Sequence, residues 1–278
     1  MTTRRDSRTR KLSHAERWLN DCLLVSHQPA FHQSIEVDVS GVEAFIKEAR
    51  DRGIRLTYTH VLVRAAALGL SKNPDLHRIL AGNRVQNLAR VDIALSVSEE
   101  FTVVPTMIIE SVNEKCLDSI ASEVAQRLPE VKEQYRKLLA MVNAWGWLVP
   151  FGFIRRAVLR LLFRSFRYRR KGLGTFQVSI APGVDAFATP IFNTAGILTA
   201  GQVKHRAIAV NGVPAVRATM VLTCSADHRL WNGLDCQTFL NTVRDLITSG
   251  QLEKEIRNVR VWPEGVEDLA RSSDAPRS

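Results

Sequence analysis

Asp227, His228 and Arg229 close an apolar run, Ala218–Asp227, and Asn232-Gly233 follows shortly after. The run reads as a buried strand. Leu234–Gly250 reads as a helix, because Cys236, Phe239, Leu240, Val243, Leu246 and Ile247 share one stripe. His228 therefore falls on a tight strand-to-helix connection, and Asn232 is placed to cap the helix with its side-chain oxygen. Such a connection holds an imidazole rigidly and leaves one ring nitrogen free. Histidine, with an unperturbed pKa of about 6.5, suits proton abstraction near neutral pH. A positioned general base contributes about 10²–10⁴-fold in rate. A hydrogen-bonded turn residue would look the same, so these residues alone leave both readings open.

The elements that must carry this loop are legible along the chain. Helices are expected over 14–24, 41–53, 57–72 and 117–140, with Asn73-Pro74 stopping the third and Pro129 breaking or kinking the fourth. Strands are expected over 31–39, over 91–98 and 101–108 around a turn at Glu99-Glu100, and over 174–181. The stretch 195–227 reads as one strand, a turn at Asn211-Gly212, and a second strand. Strands and helices mix without strict alternation, which predicts helices covering one face of a mixed sheet.

The 278 residues are 45% hydrophobic and contain no linker or repeat, so one folded domain is expected. The net charge of +10 attracts anions, whether a phosphorylated small molecule or an anionic membrane. No nucleic-acid-binding signature accompanies it, and nucleic acid is not expected as a partner. Cys22, Cys116, Cys224 and Cys236 show no metal-ligand spacing and read as apolar fillers in a reducing compartment. The basic start has no apolar run behind it and is not a signal peptide. A cytoplasmic location, or the membrane face of the cytoplasm, is expected.

The string "DHRLWNG" resembles the His-x-x-x-Asp-Gly signature of the dihydrolipoyl acyltransferases of 2-oxoacid dehydrogenase complexes, shared with chloramphenicol acetyltransferase. Three further stretches resemble the same family in order: 31–76, 91–128 and 174–203, the last containing "GTFQVSIAPGVDAFATPIFNTAGILTAGQV". The resemblance implies an α/β fold, a two-layer sandwich with a mixed β-sheet of the chloramphenicol acetyltransferase kind. It implies acyl transfer between coenzyme A and a thiol or hydroxyl acceptor. His228 then matches the base, and Ser179 in "FQVSIA" matches the hydroxyl that stabilises the oxyanion, though an ordinary strand-end hydroxyl fits there too. Asn232 departs from the usual Asp and cannot form that residue's ion pair with an arginine; Arg10 is the candidate for a persisting partner. The family's site lies between subunits of a homotrimer, so His228 is expected to face Ser179 of a neighbour.

The same resemblance sets the expected domain layout. Residues 1–25 are a basic arm and short helix, 26–266 the acyltransferase domain, and 267–278 a disordered tail. No lipoyl or subunit-binding domain is seen, so a lipoyl group would come from another chain, or the domain acts alone. Residues 135–171 are an insert relative to the family. Its apolar part, 138–154, holds Trp145, Trp147, Phe151 and Phe153, is interrupted by Gly146 and Pro150, and is short of the roughly 20 residues a spanning helix needs. Its second part is rich in arginine. Three uses remain open: contact with a membrane surface through 138–171, a lid over the acyl site, and packing on another subunit. The alternatives to a dihydrolipoyl-type enzyme are a membrane-associated lipid or polyketide acyltransferase on this fold and a non-catalytic trimeric scaffold.

Overall fold

The computed structural model describes residues 10–97 and 105–256. The basic arm before residue 10, the Glu99-Glu100 turn and the tail from 267 lie outside the described residues. The elements run α1 (His14–Val25), β1 (Ala30–Asp38), α2 (Ser40–Asp51), α3 (Tyr58–Lys72), β2 (Arg78–Ala81), β3 (Arg84–Asn87), β4 (Ile93–Ser96) and β5 (Thr106–Ile109). They continue with α4 (Leu117–Trp145), α5 (Gly152–Phe163), α6 (Phe166–Leu173), β6 (Phe176–Ile180), β7 (Gly196–Ala200), β8 (Lys204–Val210), β9 (Val213–Asp227) and α7 (Gly233–Thr248).

Seven strands form one mixed sheet in the order β1-β9-β7-β6-β4-β5, with β8 also pairing β9. β4, β6 and β7 are mutually parallel, and the other pairs are antiparallel. β2 and β3 make a separate hairpin. Helices α2, α3 and α7 pack against this sheet and one another. α3 can sit in the middle because Val61–Ala67 is buried all round, which a helix apolar on every side requires. α7 buries the six residues expected of its stripe.

Two expectations about elements need correction. The stretch before Asn211-Gly212 is two strands, β7 and β8, not one. At Gly201 a Cβ would lie 2.0 Å from the carbonyl of Asp185, and Gln202 gives its N–H to Val184, so a crossing segment ends β7. Beyond it, β9 changes partner from β7 to β8, and Asn211 (φ 52°) and Gly212 (φ 79°) make the tight turn between β8 and β9. Of the break or kink expected at Pro129, the break is not seen, and α4 runs through it to Trp145. Pro129 is exposed, so the carbonyl its ring leaves unpaired can be met by water. The cysteines also divide: Cys224 and Cys236 are buried fillers, Cys22 is half-buried, and Cys116 is exposed just before α4.

The insert folds as the end of α4, a single turn at Gly146–Leu148, then α5 and α6. It is fastened to α1. Asn143 accepts the Ala15 N–H, Gly146 leaves room for His14, and Arg155 forms a buried pair with Asp21 at 2.7 Å. Among the described residues no helix is long and apolar enough to cross a membrane.

Candidate active site

His228 stands immediately after β9, which the β1 ladder holds along its whole second half. Its backbone N–H bonds the Pro29 carbonyl at 2.8 Å. Its ring packs on Phe31, with centroids 4.8 Å apart. Nδ1 lies 3.1 Å from the Trp231 carbonyl. A carbonyl only accepts, so Nδ1 carries the proton and Nε2 presents a lone pair. That is the tautomer a base needs. The ring is exposed in the single chain.

The loop below it is rigid for identifiable reasons. Trp231 is 1% exposed, donates its indole N–H to the Leu76 carbonyl at 2.9 Å, and packs on Phe176 and Phe239. Arg78 donates to the Leu230 carbonyl. Asp227, fully buried, receives both ends of the Arg229 guanidinium and the Gln28 amide at 2.6 Å. Burial would push its carboxyl up. The Arg229 and Gln28 hydrogen bonds outweigh that and hold it below the ordinary carboxylate range.

Asn232 caps α7. Its Oδ1 accepts from the N–H groups of Leu234 (2.8 Å) and Asp235 (2.9 Å), while Asp235 accepts the Asn232 N–H. The expectation that Arg10 partners Asn232 is not met. Arg10 makes a two-pronged pair with Glu16 in the first turn of α1, and the Asn232 oxygen is spent on backbone.

Ser179 lies on β6, half-buried, with no side-chain hydrogen bond among the described residues. It does not meet His228 within one chain. Ser179 pairs with Thr199 on β7, and Thr199 pairs with Thr223 on β9, so Ser179 is level with Thr223. His228 is five residues further along and two strands across. At about 3.3 Å per residue and 4.8 Å per strand the two are roughly 20 Å apart. Among the described residues no cluster of three or more metal-binding side chains occurs.

A family model described as the catalytic domain of 2-oxoacid dehydrogenase acyltransferases matches residues 4–141 and 172–253. The chain belongs to this family. It is 25% identical over 222 residues to the lipoamide acyltransferase component of the branched-chain alpha-keto acid dehydrogenase complex of Bacillus subtilis, covering 77% of this chain and 46% of that protein. It is 26% identical over 205 residues to the dihydrolipoyllysine-residue succinyltransferase of the Azotobacter vinelandii 2-oxoglutarate dehydrogenase complex, covering 72% and 43%. The chain thus spans about half the length of these relatives. Among solved structures, a probable dihydrolipoamide acetyltransferase from Listeria monocytogenes superposes with TM-score 0.68 at 19% identity, covering 92% of this chain and 99% of that one. The A. vinelandii dihydrolipoamide acetyltransferase, in which a serine, a histidine and an asparagine have been probed for their catalytic roles, also gives 0.68 at 19%, covering 89% and 94%.

The family match passes over 142–171, so α5 and most of α6 are additional to the acyltransferase catalytic domain. The sequence offers His228, Ser179 and Asn232 as candidates but does not put forward Trp231, Gln28 and Phe31, which surround His228 in the structure. A tryptophan inside a turn was a readable sign of an anchored loop. Gln28 and Phe31 carry no local signal, since only β1–β9 pairing brings them to the site.

Proposed function

We propose that this domain is a coenzyme A-dependent acyltransferase of the dihydrolipoyl type, working as a trimer in which each site takes its base from one protomer and its oxyanion donor from the next. The observation that carries it is the His228 tautomer: Nδ1–H is committed to the Trp231 carbonyl, and Nε2 of this exposed residue has no hydrogen-bond partner among the described residues. The separation of Ser179 from His228 supports the shared site, because a hydroxyl roughly 20 Å away within the chain is useless to that base. His228 Nε2 takes the proton of the acceptor thiol as its sulfur bonds to the thioester carbonyl. Ser179 of the neighbouring protomer donates to the carbonyl oxygen as it gains negative charge, and His228 returns the proton to the departing sulfur. Asn232 acts by fixing the start of α7. Coenzyme A is a substrate, and a lipoyl group serves as the other acyl carrier. The A. vinelandii protein's serine, histidine and asparagine, with the asparagine four positions after the histidine, support carrying these roles to Ser179, His228 and Asn232. The test is acetyl exchange between acetyl-CoA and free dihydrolipoamide. Turnover lost about 10²–10⁴-fold in His228→Ala is expected; wild-type protein without turnover favours the scaffold reading.

The outer face of α5 favours a second reading, concerning where the enzyme works. Arg155, Leu159 and Phe163 are buried, whereas Phe153 (65%), Ile154, Val158, Leu161 (71%) and Leu162 face outward, beside exposed Trp145 and Trp147. This apolar stripe is too large to be incidental. No Asp or Glu occurs from 135 to 184, so two copies face to face would set arginine against arginine. An anionic bilayer satisfies both the stripe and its basic surround. Phe153→Ser with Leu161→Ser should abolish co-sedimentation with phosphatidylglycerol vesicles. Unchanged co-sedimentation refutes the reading, and a change only in oligomeric state assigns the face to another copy.

A further inference from the structure

The arginines of the insert do not all face away from the protein. Arg160 and Arg164 of the α5 end and Arg169 of α6 line a surface pocket of about 190 Å³ together with Arg229 and the linker 25–28. No Asp or Glu lines it. Asp227 is the nearest compensation, and Arg229 and Gln28 already occupy its oxygens.

Three observations mark this as a place short of negative charge. Arg169 is 3% exposed, yet it spends Nε and one terminal nitrogen on a single neutral acceptor, the Asn193 carbonyl, and no carboxylate pairs with it among the described residues. Burial pushes its guanidinium down to about 10, Asp227 pulls the other way, and the neighbouring Arg229 adds to the depression. Arg160 and Arg164, both exposed at the pocket's rim, have no side-chain hydrogen-bond or ion-pair partner among the described residues. A buried, under-compensated guanidinium is costly unless an anion completes it. Several planar forks around one small space match the oxygens of a phosphate better than those of a lone carboxylate.

We propose that this cavity binds a phosphate group, carried either by coenzyme A or by the headgroup of an anionic lipid. Three of its four arginines lie in 142–171, so the site is an addition to the family's catalytic domain. It is also wired to the catalytic loop. Arg169 holds the Asn193 carbonyl, the Asn193 N–H meets Gln28 Oε1 at 2.6 Å, and Gln28 Nε2 meets Asp227 at 2.6 Å, one residue before His228. Asn193 itself stands at φ 56°, a left-handed conformation that asparagine tolerates better than most residues. Filling the cavity therefore stiffens the base's own support.

The test is calorimetric binding of inorganic pyrophosphate, coenzyme A and dephospho-coenzyme A, with flotation on phosphatidic acid against phosphatidylcholine vesicles. The proteins are wild type, Arg160→Ser/Arg164→Ser, Arg160→Lys, His228→Ala and Arg167→Ser. Arg167 on α6 is exposed like Arg160 and Arg164 but does not line the pocket. Wild type should bind pyrophosphate, and the double variant should bind about 10- to 100-fold more weakly. Arg160→Lys, which keeps the charge and loses the fork, should fall between. His228→Ala should bind as wild type, which separates this site from the catalytic reading. Coenzyme A binding that depends on Arg160 and Arg164 assigns the phosphate to the coenzyme, and phosphatidic acid binding with the same dependence assigns it to lipid. Wild type that binds none of the probes overturns the proposal, as does an equal loss in Arg167→Ser, which would show only diffuse surface charge.

Discussion

Co-expressing two differently tagged chains, one His228→Ala and the other Ser179→Ala, and purifying through both tags yields only mixed assemblies. In a cyclic trimer each site joins the base of one protomer to the hydroxyl of the next in a fixed direction. A site is intact only where a Ser179→Ala chain, still carrying His228, is followed by a His228→Ala chain, still carrying Ser179. Going round a mixed trimer of either composition, that order occurs once. Every mixed trimer should therefore show about one third of wild-type acetyl transfer, whatever the expression ratio. The contrast is large, because loss of the base costs about 10²–10⁴-fold and loss of the oxyanion donor about 10²–10³-fold. Each single variant should thus stay near or below about 1% of wild type. The expectation follows from the register of the sheet. With Ser179 level with Thr223 and His228 five residues beyond, no side-chain rearrangement closes roughly 20 Å within a chain. Mixed assemblies no more active than the single variants would refute the shared site.

Stability should fall with acid through two buried histidines. His60 and His77 are both pushed down to about 4 by burial. His60 Nδ1 accepts the Thr57 N–H at the start of α3, and His77 lies between the Leu88 carbonyl and the Thr175 hydroxyl, at 2.8 and 2.9 Å. Their folded values lie below the unfolded 6.5, so the unfolded chain takes up protons first. Stability is full above pH 6.5 and declines towards pH 4, by about 3 kcal/mol per histidine at the limit. Urea unfolding of wild type and His77→Gln at pH 7 and pH 5 checks this: the variant should lose less stability between the two, and parallel losses would exclude His77 as a contributor. Removing the carboxylate of Asp21 should cost about 3–5 kcal/mol, because it leaves the Arg155 guanidinium buried without its countercharge. Thermal unfolding of Asp21→Ala measures that cost, and a shift no larger than that of an exposed pair such as Arg52–Glu48 would contradict it.

How much of this was readable from the chain depended on how local the cause was. The α7 cap and stripe, the stop at Asn73-Pro74 and the Asn211-Gly212 turn are written in a few adjacent residues, and each stands where the pattern put it. The end of β7 could not be read, since what stops it at Gly201 is a segment arriving from Asp185. Pro129 does not break α4, because on an exposed helix face water can meet the carbonyl its ring leaves unpaired. For the candidate site, resemblance put forward His228, Ser179 and Asn232. The support of His228 by Gln28 and Phe31 could not be read, because the partners are about 200 positions apart in sequence and meet only through the β1–β9 ladder. Arg10 failed as a partner for a local reason: Glu16 is near in sequence and takes both prongs.

The insert interrupts the family's sequence without being detachable from the fold. Asn143 satisfies an amide at the start of α1, Arg155 neutralises Asp21 within α1, and Arg169 holds the Asn193 that positions Gln28 under Asp227. Excising 142–171 would leave Asp21 unpaired, free the Asn193 carbonyl and slacken the loop beneath His228. A deleted protein that lost activity or vesicle binding would therefore say nothing about which surface was responsible. The outward stripe and the arginine pocket share α5, where Phe153, Arg160 and Arg164 stand seven and eleven residues apart on one line of the helix, so the two roles are separated by substituting the apolar and the basic side chains in turn. Phe153 and Leu161 touch only the first, Arg160 and Arg164 line only the second, and neither pair takes part in the contacts that bind the insert to α1. A membrane role and a phosphate role thus make opposite demands on these two pairs, and a protein in which both pairs are needed for vesicle binding would be reading a lipid through its headgroup and its chains at once.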